Sequence, residues 1–406
     1  MHTMKTIYEC LGREPVHPFP ARMAPNLAVE FLGKLGGTKR VLDPMMGSGT
    51  VLALARRYNH RAFGVDLDPL AVLIARVWTT AVERGKVRAA ASTVLTRAAT
   101  RFKIISAAGA YPPTADDETR AFMRYWFDAH ARRQLTALSA EITNVADAAV
   151  RDVLWCAFSR LIITKQAGAS LAMDLSHSRP HKVFQTAPVK PLNKFGSAVE
   201  RILSNCLYRG QRSRGPAPDV RMGDARALLL PDDSIDFVLT SPPYLNAIDY
   251  MRCSKFSLVW MGYALHSLRE VRSVSVGTEV GSPQGGTELS RDVVADLSLR
   301  PALAARDRRI LLRYVDDMAA SLREVSRVLR RGGEAVYVVG ENTIRGTYIK
   351  NSAIVAAVAN DCGLRLTAAT TRNLPANRRY LPPPAAIPSA TLDSRMRREV
   401  VLSFAK

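Results

Sequence analysis

The residues best suited to chemistry fall in four short stretches of the chain. The first is Asp43-Pro-Met-Met-Gly-Ser-Gly-Thr50, an acid followed at once by a glycine-rich turn. Gly47 and Gly49 carry no Cβ, so the backbone there can approach a ligand closely. The run lacks the GK[ST] ending of a phosphate loop, and its spacing is not GxGxxG. An acid in that place accepts hydrogen bonds from a cationic ligand and repels a phosphate. The second stretch is Asp66, shortly before Asp68-Pro69. An acid ending the second strand of an α/β sheet commonly takes the ribose hydroxyls of a nucleoside, while Asp68 suits the cap of the next helix. The third is Gly223-Asp224-Ala225, whose acid can face an adenine amino group. The fourth, Thr240-Ser-Pro-Pro-Tyr244, is the most specific. Two prolines hold one loop shape and donate no hydrogen bond. Ser241 and the Pro242 carbonyl then act as acceptors aimed at an amino group, and Tyr244 offers a flat face to a flipped base. The plainer alternatives are a simple strand-to-helix turn, a helix cap at Asp66 and a loop acid at Asp224.

These groups need strands that end where the motifs begin. Short runs rich in Val, Ile and Leu predict buried parallel strands over 40–46, 61–68, 219–225, 235–240, 334–340, 364–370 and 399–404. Helices are expected over 50–58, 69–78, 310–330 and 351–361, the third stopping at Gly332-Gly333. Alternating strands and helices predict a doubly wound α/β domain. Residues 1–80 form its first half and residues 216–406 its second, with a mobile Ser/Gly-rich surface loop at about 264–306. Between the halves lies an insertion, residues 81–215, helical in pattern at first and basic later.

The 57 Lys and Arg residues against 36 acids give a formal net charge of +21, which favours a polyanion as partner. The five cysteines form no CxxC pair, which argues against a zinc site or a disulfide framework. No apolar run approaches membrane-spanning length and no leader-like segment opens the chain, so a cytoplasmic protein without a membrane partner is expected. His177 and His181 lack a third ligand in view, so no metal is expected.

Taken together, the motifs resemble those of the amino-methyltransferase branch of DNA methyltransferases, which carry a DPFxGSGT-like cofactor motif and a [DNS]PP[YFW] catalytic motif. Met45 stands where the family has Phe. His17-Pro-Phe-Pro-Ala-Arg22 resembles the family's extra cofactor motif, and Arg378-Arg-Tyr-Leu-Pro-Pro-Pro384 a late motif near the catalytic pocket. The likeness covers roughly residues 12–80 and 218–406 and leaves out the insertion. It implies a Rossmann-like, seven-stranded methyltransferase sheet with a largely helical insertion. It also implies S-adenosyl-L-methionine as cofactor, held by His17, Phe19, Pro20, Asp43, Pro44, Met46, Gly47, Ser48, Gly49, Thr50, Asp66 and Asp224. Ser241, Pro242, Pro243 and Tyr244 would be catalytic. Double-stranded DNA would be the substrate, methylated at cytosine N4 ahead of adenine N6 because Ser leads the catalytic motif. RNA or protein-amide methylation, and a DNA-binding protein without catalysis, are the competing readings. Methylation at cytosine C5 would need a cysteine nucleophile, usually after proline, and no cysteine here follows one. Candidate DNA contacts are His177, Arg179 and His181 in the insertion, Arg252 and Lys255 after the catalytic loop, and Arg378 and Arg379. A cognate restriction endonuclease is a candidate partner; the choice of monomer or homodimer, orphan or restriction-linked, is not legible.

Overall fold

The computed structural model describes residues 6–19, 23–176, 180–210, 215–245, 251–279, 285–373 and 398–406. Its centre is a sheet made from β1 (Arg40–Asp43), β2 (Arg61–Asp66), β3 (Asp219–Met222), β4 (Ile235–Thr240) and β5 (Leu329–Gly340), completed by two late strands. A small hairpin, β6 (Asn342–Ile344) and β7 (Thr347–Ile349), comes between, followed by β8 (Arg365–Asn373) and β9 (Arg398–Ala405). The seven-stranded order is β3-β2-β1-β4-β5-β9-β8. Strands β1 to β5 run parallel, and β9 enters antiparallel between β5 and β8. The fold is the Rossmann-like doubly wound α/β class expected from the sequence.

Side chains alternate across this sheet and feed two cores. Val41, Phe237, Leu239, Val336 and Val338 enter one cluster, whereas Leu42, Val238, Ala335, Tyr337 and Val339 enter the other. The first face is covered by helices Thr50–Arg57 and Pro69–Thr79, which follow β1 and β2. The second is covered by Ala305–Val328 and Asn351–Asp361, which follow β4 and β5. The winding therefore reverses between β1 and β4. Sheets of this kind bind ligands beyond the carboxyl ends of the strands at that crevice.

The insertion is built from helices Arg84–Ile104, Asp117–Trp126, Ala129–Thr143, Ala148–Ile162 and Pro191–Asn205. Its apolar residues, among them Phe127, Phe158 and Phe195, belong to the same buried cluster as Trp78 on the helix after β2 and Trp260, which lies after β4. The insertion thus thickens one layer of the core.

Three local expectations need correction. The long helix ends at Val328, and Gly332 and Gly333 lie inside β5. Leu329, fully buried, already pairs with Ile235, so tertiary pairing overrides the glycine stop signal. The stretch taken for a surface loop holds two helices, Leu265–Val274 and Glu288–Asp296, whose Leu268, Val293 and Val294 are buried. The segments 364–370 and 399–404, expected as buried parallel strands, form antiparallel β8 and β9, and β8 is exposed along almost its whole length because it is the sheet edge.

Candidate active site

The glycine-rich turn leaves β1 at Asp43 and enters the helix at Thr50. Gly47 and Gly49 both adopt left-handed backbone, with φ of 49° and 84°. A Cβ on Gly49 would lie 2.9 Å from the Cβ of Ala75, so only glycine lets the turn lie against the helix after β2. Beneath it, Gly64 of β2 leaves room for Leu52 and Met46; a Cβ there would sit 2.5 Å from each. Met46 is therefore core packing, as its burial shows. Pro44, Ser48 and Thr50 are also buried. Phe19 packs over Gly47, and His17 is buried with its Nε2 2.9 Å from Ser159 Oγ. Pro20 lies outside the described residues.

Three carboxylates gather at this edge. Asp43 Oδ1 accepts from Thr240 Oγ1 at 2.7 Å and from the Met45 amide at 3.2 Å. Asp66 receives the Gly47 amide at 2.8 Å on one oxygen and the Asp68 amide at 2.9 Å on the other. Asp68 caps the helix Pro69–Thr79 through Leu70 N at 2.8 Å and accepts from Ser254 Oγ at 2.6 Å. Burial pushes Asp43 and Asp68 up to about 7, and the neighbouring Asp66 adds to both shifts. Asp66 is raised as well, first by burial. Among the described residues, no cation contributes to these shifts.

Asp224 differs from these three. Both of its oxygens are held by Arg226, which also binds Asp317 and the Val274 carbonyl. The ion pair ties the end of β3 to two helices.

The Thr240-Ser-Pro-Pro-Tyr244 loop leaves β4, the strand paired with β1. The Thr240–Asp43 hydrogen bond joins the two motifs directly across that pair. Ser241 Oγ lies 3.4 Å from the Tyr244 hydroxyl, which donates to Glu399 Oε1 at 3.2 Å. Glu399 Oε2 in turn accepts from Arg372 Nε at 2.8 Å. Asn342 donates to the Leu245 carbonyl, and the backbone at Gly277 packs against Tyr244. The structure thus adds Asn342, Arg372 and Glu399 to the residues named from sequence. Glu399 is 155 positions from Tyr244, and no local pattern links them.

The helix Met251–Leu258 follows the loop. Its Ser254 holds Asp68, and its Ser257 lies 2.8 Å from Ser159 Oγ, which completes a buried chain to His17. Arg252 is half-buried on this helix, and Lys255 places Nζ 5.4 Å from the Phe122 ring centroid in the insertion. Burial pushes the thiol of Cys253 up to about 12, which removes it as a nucleophile near neutral pH. His181 is exposed, and Ser176 is buried with its hydroxyl 3.4 Å from Asp174. His177, Arg179, Arg378 and Arg379 lie outside the described residues. No helix among the described residues is long and apolar enough to cross a membrane.

No family model matches the chain. It is 23% identical over 367 residues to the Type II methyltransferase M.MvaI of Kocuria varians, covering 84% of this chain and 79% of that protein. It is likewise 23% identical over 346 residues to the Type II methyltransferase M.BsoBI of Geobacillus stearothermophilus, covering 78% of this chain and 64% of that longer protein. Among solved structures, a SAM-dependent methyltransferase of Methanosarcina mazei matches at 10% identity with a TM-score of 0.33, over 93% of this chain and 96% of that one.

Proposed function

We propose that this protein is an S-adenosylmethionine-dependent methyltransferase that acts on an exocyclic amino group of a DNA base, cytosine N4 ahead of adenine N6. The observation that carries the reading is the junction of the two motifs: the acidic, glycine-lined turn of β1 and the Ser-Pro-Pro-Tyr loop of β4 lie side by side at the switch point, bonded through Thr240 and Asp43. The relatedness to two proteins named Type II methyltransferases supports it.

The turn fits a cationic nucleoside. Both bonds to Asp43 fall on Oδ1, which leaves Oδ2 for a ligand ammonium, and the carboxylate cluster gains from a positive charge. Asp66 is held by the backbone amides of Gly47, Asp68 and Leu67, which leaves acceptor capacity on its two oxygens for a ribose hydroxyl. Phe19 closes the cradle above Gly47. With both of its oxygens on Arg226, Asp224 reaches an adenine amino group only through its remaining lone pairs.

When bound, S-adenosylmethionine supplies an electrophilic methyl group on its sulfonium. The chain's own residues prepare the nucleophile. The lone pair of an exocyclic amine is delocalised into the ring. Hydrogen bonds from the amine to Ser241 Oγ and the Pro242 carbonyl localise it on nitrogen. Tyr244 stacks against the flipped base and holds it in place. No covalent enzyme intermediate is required. The net charge of +21 supports a duplex partner, and the insertion, with His181 and the helix bearing Arg252 and Lys255, is the proposed recognition region.

Incubation with cofactor and DNA, then mass spectrometry of the nucleosides, tests the proposal. N4-methylcytosine is expected; N6-methyladenine would keep the chemistry and change the base, and neither product would overturn the reading. Tyr244→Ala should weaken base capture while leaving cofactor affinity intact by calorimetry; equal loss of both would contradict the stacking role.

A further inference from the structure

We infer that Glu399 is a positioning residue that sets the direction of a hydrogen-bond relay and so makes Ser241 an acceptor. The inference rests on the amino-group chemistry proposed above. Glu399 opens β9 at the level of Gly340 on one side and Arg372 on the other, the same edge of the sheet from which the Ser-Pro-Pro-Tyr loop leaves. Its carboxylate is largely buried, with 12% of its side chain exposed, and is paired to Arg372 Nη2 at 2.6 Å. A carboxylate held by a guanidinium accepts hydrogen bonds and cannot donate them. The Tyr244 hydroxyl, 3.2 Å away, must therefore spend its single proton on Glu399. The phenol oxygen then faces Ser241 Oγ, 3.4 Å away, only as an acceptor. Ser241 resolves the pair by donating its own proton to Tyr244. Its lone pairs are left for a donor, which is what an amino group is and a ring carbonyl is not. The arrangement selects amine over carbonyl before any substrate arrives.

The test uses the full-length protein and three variants: Glu399→Ala, Tyr244→Phe and the double substitution. Each single change should lower kcat about ten-fold, the order expected for losing one oriented hydrogen bond, with cofactor affinity unchanged. The double variant should be no slower than the worse single, because both break one relay. Glu399→Gln, whose amide oxygen goes to the Arg372 guanidinium and whose N–H then faces the phenol, reverses the relay and should stay slow. Losses that multiply to about a hundred-fold, or a Glu399→Ala enzyme at full rate, would overturn the inference. A second readout needs no turnover. Amide hydrogen exchange at Ser241, Tyr244 and Leu245 in cofactor-free protein should be about ten-fold faster in Glu399→Ala, and wild-type exchange there would overturn the anchoring role. If the wild-type protein methylates no base, the functional proposal fails on its own, and the exchange result still decides whether Glu399 holds the loop.

Discussion

Asp43 is the residue whose environment speaks most directly about ligand charge. Its carboxyl sits at about 7 because burial penalises the anion more than Thr240 and the Met45 amide stabilise it. Two consequences follow with definite sign. The folded form keeps a proton between ~4 and 7 that the unfolded chain has lost, so this group's contribution to stability is full below ~4 and is lost as pH rises to about 7. Binding of a cation requires the anion, so affinity for S-adenosylmethionine should strengthen as pH rises through about 7, with uptake of the released proton by buffer. Calorimetry in buffers of different ionisation enthalpy measures this, and Asp43→Asn should remove both the pH step and the proton release. At Gly49 the constraint is steric. Gly49→Ala combines a φ of 84° with a Cβ 2.9 Å from Ala75, and should destabilise the fold by about 1–3 kcal/mol in urea melts. The acid, the glycines and the Ser-Pro-Pro-Tyr loop were legible in sequence because each is contiguous. Glu399, Arg372 and Asn342 were not, because they reach the loop across strand pairings that only folding creates.

The helix Met251–Leu258 does more than continue the chain from the catalytic loop. Ser254 satisfies the capping carboxylate of Asp68, and Ser257 joins the buried chain through Ser159 to His17. The cap of the helix after β2, the insertion and the N-terminal His17 are therefore bonded through one helix. Ser254→Ala leaves a buried carboxylate oxygen without its hydroxyl partner and should cost about 1–3 kcal/mol by chemical denaturation. It should also raise the Asp68 carboxyl further, since that bond is what lowers it. Titration of the Asp68 carboxyl by NMR checks the direction; no movement would show that the hydroxyl contributes nothing to the anion. At this scale the strand positions were legible as short apolar runs, but their burial and direction were not: β3 and β8 are edge strands with little buried surface, and β8 and β9 are antiparallel. The two helices inside 264–306 and the true end of the long helix were not legible, because their boundaries depend on which residues find a core partner.

For the molecule as a whole, the insertion decides how the protein can be divided. Residues 81–215 look in sequence like a separate module, yet their buried aromatics share one cluster with Trp78 and Trp260. Excised on its own, the segment should show no cooperative unfolding transition, and the remainder should lose its near-UV circular dichroism. A sharp thermal transition in the excised segment would contradict this. The sequence by itself determined the class of fold, the order of the two motifs and the chain's own basic charge, because hydrophobic period, glycine and proline placement and net charge are local or additive properties. Only the tertiary structure decided that Asp43 meets Thr240, that Asp224 is held by Arg226, that Glu399 orients Tyr244 and that the insertion belongs to the core. Those outcomes depend on long-range pairing and packing, where residues far apart in the chain supply one another's hydrogen bonds and exclude one another's water.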